Sequence, residues 1–306
     1  MQYAVNWKCE KNTLAVKRLK PFIGEEALLL SLIKKTLRLS STIYIRTIQT
    51  FNESILKVLQ RRHTARQAIE AFQNCRAAGF QNISIDLMYG LPGETLSTWQ
   101  QDLDQALLLH PEHLSAYHLI YEEDTVLWKL REQHKVEEAD EDLSVSLFST
   151  LIDRLTSEGY DHYEISNFSL PGLYSRHNSS YWTEKKYLGC GPSAHSYNGV
   201  SRQWNVASLD TYIKGISAGT PVFEIEELDL YTRYNDFVIT RIRTEWGMPL
   251  SKLRDEFGEK LYDYCLRMAA PHLKQGTLEL VNDILKLTRK GIFISDGIMS
   301  DMLWTD

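Results

Sequence analysis

The stretch ISIDLMYGLPGET, residues 83–95, decides the fold. Its first half is a short apolar run, and two glycines and a proline follow at once, which predicts a buried strand that ends in a tight turn. A threonine N-cap and the helical spacing of apolar residues predict a helix just upstream, over residues 64–79. A second helix is predicted near 97–109, and a second strand over 114–120. Alternating strands and helices are typical of parallel βα units, whose strands are covered on both faces.

The second half of the chain has a different pattern. Residues 139–158 predict an amphipathic helix, and an aromatic-rich, loop-like segment follows up to about residue 205. From about residue 226, two or three helical stretches precede two short strand-like runs around Asn282-Asp283. Helices followed by such a hairpin are typical of a winged-helix module. Because no helix there carries a dense set of basic residues, the pattern favours a structural role over DNA binding.

Composition restricts the class of protein. Of the 306 residues, 43% are hydrophobic and 24% are charged, so a packed core is expected. The net charge of −6 argues against a nucleic-acid partner, although residues 1–40 carry eight Lys and Arg against three Glu. The longest apolar run near the start, residues 27–33, is too short to span a bilayer, so no membrane span is expected.

The four cysteines lie far apart in the sequence, at Cys9, Cys75, Cys190 and Cys265. No pair has the short spacing of a thiolate metal site, and the pattern gives no disulfide framework. This usage predicts a reducing, cytoplasmic location.

Eight segments are similar, in order and spacing, to one known family. They are IQTF (48–51), RRHTARQAIEA (61–71), ISIDLMYGLPGET (83–95), PEHLSAYHL (111–119), HYEISNF (162–168), SRHNSSYW (175–182), YLGCGPSAHSY (187–197) and LTRKGIFISD (287–296). On these segments the chain is identified as a member of the radical-SAM family of oxygen-independent coproporphyrinogen III oxidases and HemW-type heme chaperones. The segment RHNSSYW resembles the HNxxYW pattern of the chaperones, which favours that branch of the family.

The resemblance implies an α/β fold. We expect the C-terminal part of a radical-SAM (β/α)6 partial barrel, followed by a winged-helix-like C-terminal domain. The expected organisation has an unrecognised basic segment (1–42), a partial barrel with a heme- or porphyrin-associated loop region (43–225), and a C-terminal domain of the HemN type (226–306).

Family members bind S-adenosylmethionine (SAM) at the C-terminal ends of the barrel strands, which is the usual place for a site in a parallel barrel. Carried over by position, the resemblance implies SAM contacts at Gln49, Arg61, Asp86, Ile120 and His195. The Asp86 carboxylate would need a donor such as a ribose hydroxyl if buried, and the Arg61 guanidinium suits a carboxylate. A plainer interpretation is that Asp86 caps a turn and Arg61 is exposed at a helix start.

The HNxxYW pattern also implies a heme site at His177, Asn178, Tyr181 and Trp182. A neutral imidazole is a common axial ligand of heme iron, and aromatic side chains pack well on a porphyrin. The resemblance therefore implies His177 as a ligand of the iron. A single loop histidine is more often hydrogen-bonded or exposed, and the other candidate ligands are His118, His162 and His195.

The family's CxxxCxxC loop, whose thiolates hold a [4Fe–4S] cluster, is absent from this sequence. We therefore expect an N-terminally truncated chain that has no iron–sulfur ligands and no catalytic residues for radical chemistry. Three hypotheses follow: a HemW-type heme chaperone, an oxygen-independent coproporphyrinogen III oxidase that acts by oxidative decarboxylation, and an inactive gene remnant. The expected cofactors are SAM and heme, and the expected partners are heme or porphyrin, a second copy of the chain or a heme-accepting protein.

Overall fold

The computed structural model of the protein describes residues 44–305, with side chains from residue 48 onward. These residues form two compact units that divide after Ser175. The boundary expected at 225/226 rests on sequence composition and stays a prediction. The expected basic segment, 1–42, lies outside the described residues.

The first unit contains an open sheet with three parallel strands, which are β1 (Tyr44–Gln49), β2 (Ile83–Tyr89) and β3 (His113–His118). The helices between them are α1 (Glu53–Val58), α2 (Ala65–Ala77) and α3 (Leu96–Leu108). The expected βα alternation is therefore confirmed. Helix α2 begins with a capping box at the predicted N-cap Thr64, and α3 begins with a capping box at Thr95.

Two further helices and two short strands complete this unit. They are α4 (Val126–Glu132), α5 (Glu141–Ser157), β4 (Asp161–Glu164) and β5 (Asn167–Ser169). Strand β5 pairs antiparallel with β3, and β4 pairs antiparallel with β5, so the sheet order is β1-β2-β3-β5-β4. The expectation of loop from the end of α5 was wrong here, because these strands are too short to show a period of two.

One face of the sheet forms the main core of the first unit. Ile83, Ile85 and Leu87 on β2 are fully buried, and so is Trp99 on α3. The Trp99 indole N–H donates to the Leu147 carbonyl on α5 at 3.0 Å, which joins two of the covering helices. Truncating a buried Leu or Ile of this kind costs about 2–5 kcal/mol.

The second unit begins with a short helix and a small antiparallel sheet. Its elements are α6 (Arg176–Trp182), β6 (His195–Tyr197), β7 (Ser201–Asn205), α7 (Leu209–Ala218) and β8 (Phe223–Glu227), with the sheet order β6-β7-β8. The sequence does not reveal these strands, for the same reason as β4 and β5. Each strand has only three or five residues, which is too few to show a period of two.

The unit ends in the expected helices and hairpin. The elements are α8 (Leu230–Ile242), β9 (Met248–Pro249), α9 (Leu250–Gln275), β10 (Leu278–Val281), β11 (Ile284–Leu287), α10 (Arg289–Ile292) and α11 (Ser295–Met302). The two helical stretches expected on either side of Gly258 are confirmed, because Leu250–Gln275 consists of two helices that meet at a kink, where Gly258 has a non-helical φ of 79°. The strand order β10-β11-β9 gives a winged-helix-like arrangement.

None of the helices within residues 44–305 is both long enough and apolar enough to cross a bilayer.

Candidate functional site

The end of β1 brings two of the expected SAM contacts together. Gln49 is 5% exposed and has a φ of 72°, and the pairing of β1 with β2 shifts register between Thr47 and Gln49. Its Oε1 accepts a hydrogen bond of 2.5 Å from the guanidinium of the exposed Arg61. A left-handed backbone at a non-glycine residue is costly and persists only where its surroundings hold it. Gln49 and Arg61 are thus a pre-formed polar pair at the strand end.

Asp102 on α3 holds this strand end in place. One of its oxygens accepts from the Thr50 hydroxyl at 2.5 Å, and the other accepts from the Phe51 backbone N–H at 2.8 Å. Asp102 and Thr50 are both buried, and burial raises the pKa of the Asp102 carboxyl, although its two hydrogen bonds oppose that shift. A buried carboxylate is tolerated only when it is hydrogen-bonded. Asp102 therefore fixes the backbone that presents Gln49.

Glu94 holds the neighbouring turn after β2 in a similar way. Its Oε2 accepts from the Gly90 N–H at 2.7 Å and from the Leu91 N–H at 3.2 Å, while its Oε1 is buried without a partner. Burial raises the pKa of Glu94 to about 7, the two backbone hydrogen bonds oppose this, and the charge of Asp102 adds to it. Two carboxyl groups, one just before α3 and one in the middle of it, thus hold the loops after two adjacent strands.

An apolar cluster supports the same loops. Its buried members come from α1, the turn after β2 and the segment after β3, and they are Ile55, Leu91, Leu119 and Tyr121. The adjacent Ile120 is 74% exposed, so its side chain is available at the end of β3. Gln49, Arg61 and Ile120 all lie at the C-terminal ends of the parallel strands.

Asp86 lies in the middle of β2 and does not close it, since the strand continues to Tyr89. It pairs with Ser115 on β3, and Ser115 pairs with Asn167 on β5. The Ser115 hydroxyl donates to the Asn167 amide oxygen at 2.9 Å, and the Asn167 amide nitrogen donates to the buried Glu164 carboxylate. The polar face of the sheet therefore continues from Asp86 to Glu164. The sequence pattern did not indicate that Ser115, Asn167 and Glu164 belong to this polar face.

A second buried hydrogen-bond network lies at the paired residues Ser84 on β2 and His113 on β3, two positions before Asp86 and Ser115. The His113 Nδ1 contacts the Ser84 hydroxyl at 2.7 Å, and its Nε2 contacts the Tyr163 hydroxyl at 2.6 Å. Burial lowers the pKa of His113 to about 4, so the imidazole is neutral near pH 7. With both nitrogens bonded inside the fold, His113 joins β2, β3 and β4 and has no nitrogen left for a ligand.

Helix α6 carries the four residues of the expected heme site on two of its sides. His177 and Tyr181 are four residues apart and lie on one side, where their rings meet edge to face with centroids 5.2 Å apart. His177 is exposed, and its Nε2 lies 3.4 Å from the Tyr181 hydroxyl, which is at the long limit of a hydrogen bond. The imidazole is therefore exposed on this side of α6.

Asn178 and Trp182 lie on the neighbouring side of α6, since successive helical residues are about 100° apart. The Arg243 guanidinium stacks over the Trp182 ring at 4.3 Å, and the Trp182 indole N–H is buried without a partner. The structure thus places Trp182 in the packing of α6 and does not bring its ring together with His177.

A row of aromatic rings continues from the His177 side of α6. The Tyr181 and Tyr187 centroids are 5.0 Å apart, and those of Tyr187 and Tyr197 are 6.1 Å apart. Tyr187 and Tyr197 also exchange backbone hydrogen bonds of 2.9 Å. The row of His177, Tyr181, Tyr187 and Tyr197 is called the aromatic row below; sequence reasoning missed its last two members, which lie ten residues apart.

The other candidate iron ligands have different surroundings. His118 contacts the Leu119 carbonyl at 2.8 Å through Nδ1 and the Ser144 hydroxyl at 3.0 Å through Nε2. His162 stacks on Phe168 with the centroids 4.2 Å apart. His195 is exposed on β6, 5.9 Å from the Trp204 ring, and lines a cavity of about 330 Å³ with Phe223 and Glu224. His195 belongs to the second unit, whereas Gln49, Arg61, Asp86 and Ile120 belong to the first.

The described cysteines do not fit an iron–sulfur cluster. Cys75 on α2 and Cys265 on α9 are buried in separate units, and Cys190 is exposed between α6 and β6. Within residues 44–305, no group of three or more His, Cys, Asp or Glu is placed to hold a metal ion. Cys9 lies outside the described residues.

The fold and the strand-end groups define an open α/β sheet of the radical-SAM type with a helical C-terminal module. The family model for the Radical SAM superfamily matches residues 32–106, and the model for the HemN C-terminal domain matches residues 228–294. The solved coproporphyrinogen III oxidase HemN from Escherichia coli shares this fold with a TM-score of 0.72 at 19% identity, over 89% of this chain and 66% of that one.

Curated relatives define the family more closely. The heme chaperone HemW of Lactococcus lactis subsp. lactis is 30% identical over 262 residues, which cover 85% of this chain and 68% of the relative. HemW of Mycobacterium tuberculosis is 31% identical over 257 residues, covering 84% of this chain and 64% of the relative. The chain belongs to the HemW/HemN-like radical-SAM family, and it spans about two thirds of the length of these relatives.

Proposed function

We propose that this chain binds heme in the manner of a HemW-type chaperone and that His177 on α6 is the axial ligand of the iron. The observation that carries the proposal is the exposed imidazole of His177, which lies on α6 with its ring edge to face with that of Tyr181. The names of the relatives support the choice of ligand, since curated heme chaperones HemW are similar to this chain over about 85% of its length.

The aromatic row supports the placement of a flat ligand beside His177. Tyr181 and Tyr187 are each only partly buried, so both offer apolar surface next to the imidazole. Offset or edge-on aromatic contacts contribute about 0.5–1.5 kcal/mol each beyond the burial of their area. Tyr181 is proposed to contact the porphyrin, whereas Asn178 and Trp182 are proposed to hold α6 in place for it.

A SAM-type site is proposed at the strand ends of the first unit. The Arg61 guanidinium suits the carboxylate of an amino-acid ligand, and the Gln49 amide offers a second polar contact. Asp86 is proposed to accept a ribose hydroxyl, and the exposed Ile120 to cover an apolar part of the ligand. His195 remains a proposed contact from the family resemblance alone.

In intact family members SAM is cleaved with an electron from a [4Fe–4S] cluster. The described cysteines do not provide its ligands, so the proposal includes no radical step for this chain. The oxidase hypothesis has less support than the chaperone, because the similarity to the solved oxidase is at 19% identity and shows the fold alone. The inactive gene remnant remains the alternative, and a heme-binding experiment distinguishes it from the chaperone.

Hemin titration of the full chain, followed by the Soret band, tests the proposal. We expect a saturable band for the wild type and for the control His134→Ala, which removes another exposed histidine. His177→Ala is expected to weaken binding about tenfold or more, because the iron–imidazole bond is lost. An unchanged band in His177→Ala would reject His177 as the ligand, and no saturable band in the wild type would favour the inactive remnant.

A further inference from the structure

Strand β8 is an edge strand whose residues are all exposed. The sheet order is β6-β7-β8, so within residues 44–305 only β7 pairs with it and its outer edge carries no further strand. Each of its five residues, FEIEE, is exposed, including the apolar Phe223 and Ile225. An edge strand offers a row of backbone donors and acceptors, and an exposed apolar edge is a place where another chain pairs.

The hydrogen bonds that flank β8 define which of its backbone groups point outward. The Val222 carbonyl accepts from the Val206 N–H at 3.1 Å, and the Leu228 N–H donates to the Val200 carbonyl at 2.9 Å. In an antiparallel pair, residues that are bonded to the neighbouring strand alternate with residues that are not. The even-numbered residues therefore bond to β7, whereas the odd-numbered residues direct their N–H and C=O groups to the free edge. The outward-pointing residues are Phe223, Ile225 and Glu227.

Helix α7 leads into β8 and leaves further apolar surface uncovered. Gly215 is its buried residue, and a Cβ there would lie 3.5 Å from the Val222 Cγ2, so α7 lies against the start of β8. Leu209, Ile213 and Ile216 follow the spacing of one helix side, and each is more than half exposed. Exposed apolar side chains that are concentrated in this way mark an interaction surface.

One side of β8 is acidic, because side chains alternate along a strand and Glu224 and Glu226 share a side. The Glu224 Oε2 accepts from the Trp204 indole N–H at 3.1 Å, which holds this carboxylate in place without neutralising it. Arg202 is the residue of β7 that is paired with Glu226, but its guanidinium forms its ion pair with Asp236. Within residues 44–305, neither glutamate is therefore in an ion pair.

These charges select the kind of chain that adds to β8. Three of its five residues are Glu, so pairing with a second copy brings like charges together on adjacent strands, which is destabilising. A strand with Lys or Arg beside Glu224 and Glu226 forms opposite-charge pairs instead, and its alternate residues lie beside Phe223 and Ile225. An extended segment of alternating basic and apolar residues is thus complementary to this edge in backbone, charge and apolar surface.

We infer that β8 is a docking strand for a partner protein, which adds a basic, extended segment to the free edge of the sheet. In this mode of recognition the main-chain hydrogen bonds provide affinity, and the alternating side chains provide specificity. The inference does not depend on the proposed heme site, because no residue of the aromatic row lies in β8.

The first test is fluorescence anisotropy of labelled peptides added to the full-length protein. One probe is a short peptide of alternating Lys and Val, and its matched control has Glu in place of each Lys. We expect the Lys peptide to bind saturably and the Glu peptide to bind about tenfold more weakly or less, because the charge pairs become repulsive. Glu224→Gln/Glu226→Gln should weaken the Lys peptide about fivefold. The control Glu122→Gln/Glu123→Gln, at exposed residues of the first unit, should bind it as the wild type does.

The second test separates the backbone of Ile225 from its side chain. Ile225→Pro removes the middle outward N–H, and an edge strand tolerates proline where the lost N–H faces solvent. Ile225→Ala keeps that N–H and removes most of the side chain. We expect the Pro variant to bind the Lys peptide about tenfold more weakly than the wild type and the Ala variant at most about threefold more weakly. Near-UV circular dichroism checks that both variants keep the wild-type fold.

Three results would overturn the inference. The first is equal binding, or no saturable binding, of the two peptides by the wild type. The second is wild-type binding of the Lys peptide by Glu224→Gln/Glu226→Gln or by a folded Ile225→Pro variant. The third is a wild-type dimer in sedimentation velocity that Ile225→Pro abolishes, which would make a second copy of the chain the occupant of the edge.

Discussion

The two proposed ligand regions are built in opposite ways. At the strand ends of the first unit, Gln49, Glu94 and Asp102 are each about 5% exposed or less, and each is held by short hydrogen bonds. At α6 of the second unit, His177 is exposed, and the neighbouring Tyr181 and Tyr187 are only partly buried. The first region is fixed before any ligand arrives, whereas the second can adjust to a ligand and release it.

This difference suits two kinds of task. A rigid polar pair with a strained backbone positions one ligand in one orientation, which is what a site for chemistry requires. An exposed imidazole beside aromatic rings is proposed to hold a ligand through separate, individually weak contacts. Transfer of heme to an acceptor requires such a site, because a ligand buried in the core would leave slowly.

The largest effect is expected at Gly90 in the fixed region. Its φ is 71°, and a Cβ there would lie 2.6 Å from the His118 Nε2. Gly90→Ala therefore combines backbone strain with a clash and should lower the free energy of unfolding by about 3 kcal/mol. Urea denaturation of the full chain measures this.

Gly93→Ala is the matched control for that change. Gly93 has the same φ of 71°, but a Cβ there meets nothing within 4 Å, so only the strain of about 1 kcal/mol remains. Equal losses in the two variants would show that the contact with His118 does not fix the turn.

A pH dependence is expected from Glu94. Its folded pKa of about 7 exceeds the value near 4.3 of an unfolded chain, so the folded state binds the proton more tightly. The stabilising contribution is complete below about pH 4 and is lost as the pH rises through 7, with roughly 2–3 kcal/mol of the loss falling between pH 5 and pH 7.5. Glu94→Gln should flatten the stability profile between pH 5 and pH 7.5, and the exposed Glu123→Gln should not. A wild-type profile that rises over this range would contradict the assignment.

Asp102→Ala is expected to cost about 2 kcal/mol, because it leaves the Phe51 N–H and the Thr50 hydroxyl without their acceptor. Amide hydrogen exchange should also become faster at Phe51, which reports directly on the strand end that presents Gln49. Asp104→Ala is the control on the same helix, where the carboxylate makes an exposed ion pair with Arg154. Similar effects of the two variants would refute the positioning role of Asp102.

The smallest effect is expected for Trp182→Phe in the adjustable region. The smaller ring keeps a contact with Arg243, and the indole N–H that it removes has no partner. Stability should change by about 0.5 kcal/mol or less, and hemin binding should stay within about twofold of the wild type. A fivefold or larger loss of hemin binding would place Trp182 in contact with the porphyrin.

The sequence predicted strands β2 and β3 and helices α2 and α3 to within two residues. Strong signals caused this success: apolar runs with bounding glycines around residues 83–95, and Thr64 at a helix start. Helix α1 was missed, because six residues are too few to show a helical period. The short strands β4 to β8 were missed because their partners are set by tertiary pairing and not by local periodicity. The break at Gly258 was predicted, because the helical stretches on either side of it are separate in the sequence pattern.

The polar groups of the site were harder to predict than the strands. Asp102 lies in a helical pattern, and its partner Thr50 is 52 residues away, so only the fold reveals the contact. His113 looks like an ordinary strand residue until Ser84 and Tyr163 are placed around it. Gln49 and Arg61 were found through the family resemblance, and no local signal indicates the left-handed backbone at Gln49.

The central claim is that the His177 imidazole binds the heme iron, and chemical rescue of His177→Gly by free imidazole tests it most directly. The full-length variant is mixed with hemin, and its Soret and visible bands are recorded with and without imidazole. The account predicts that the wild-type spectrum is lost in His177→Gly and restored by imidazole. A wild-type spectrum in His177→Gly without added imidazole would contradict it.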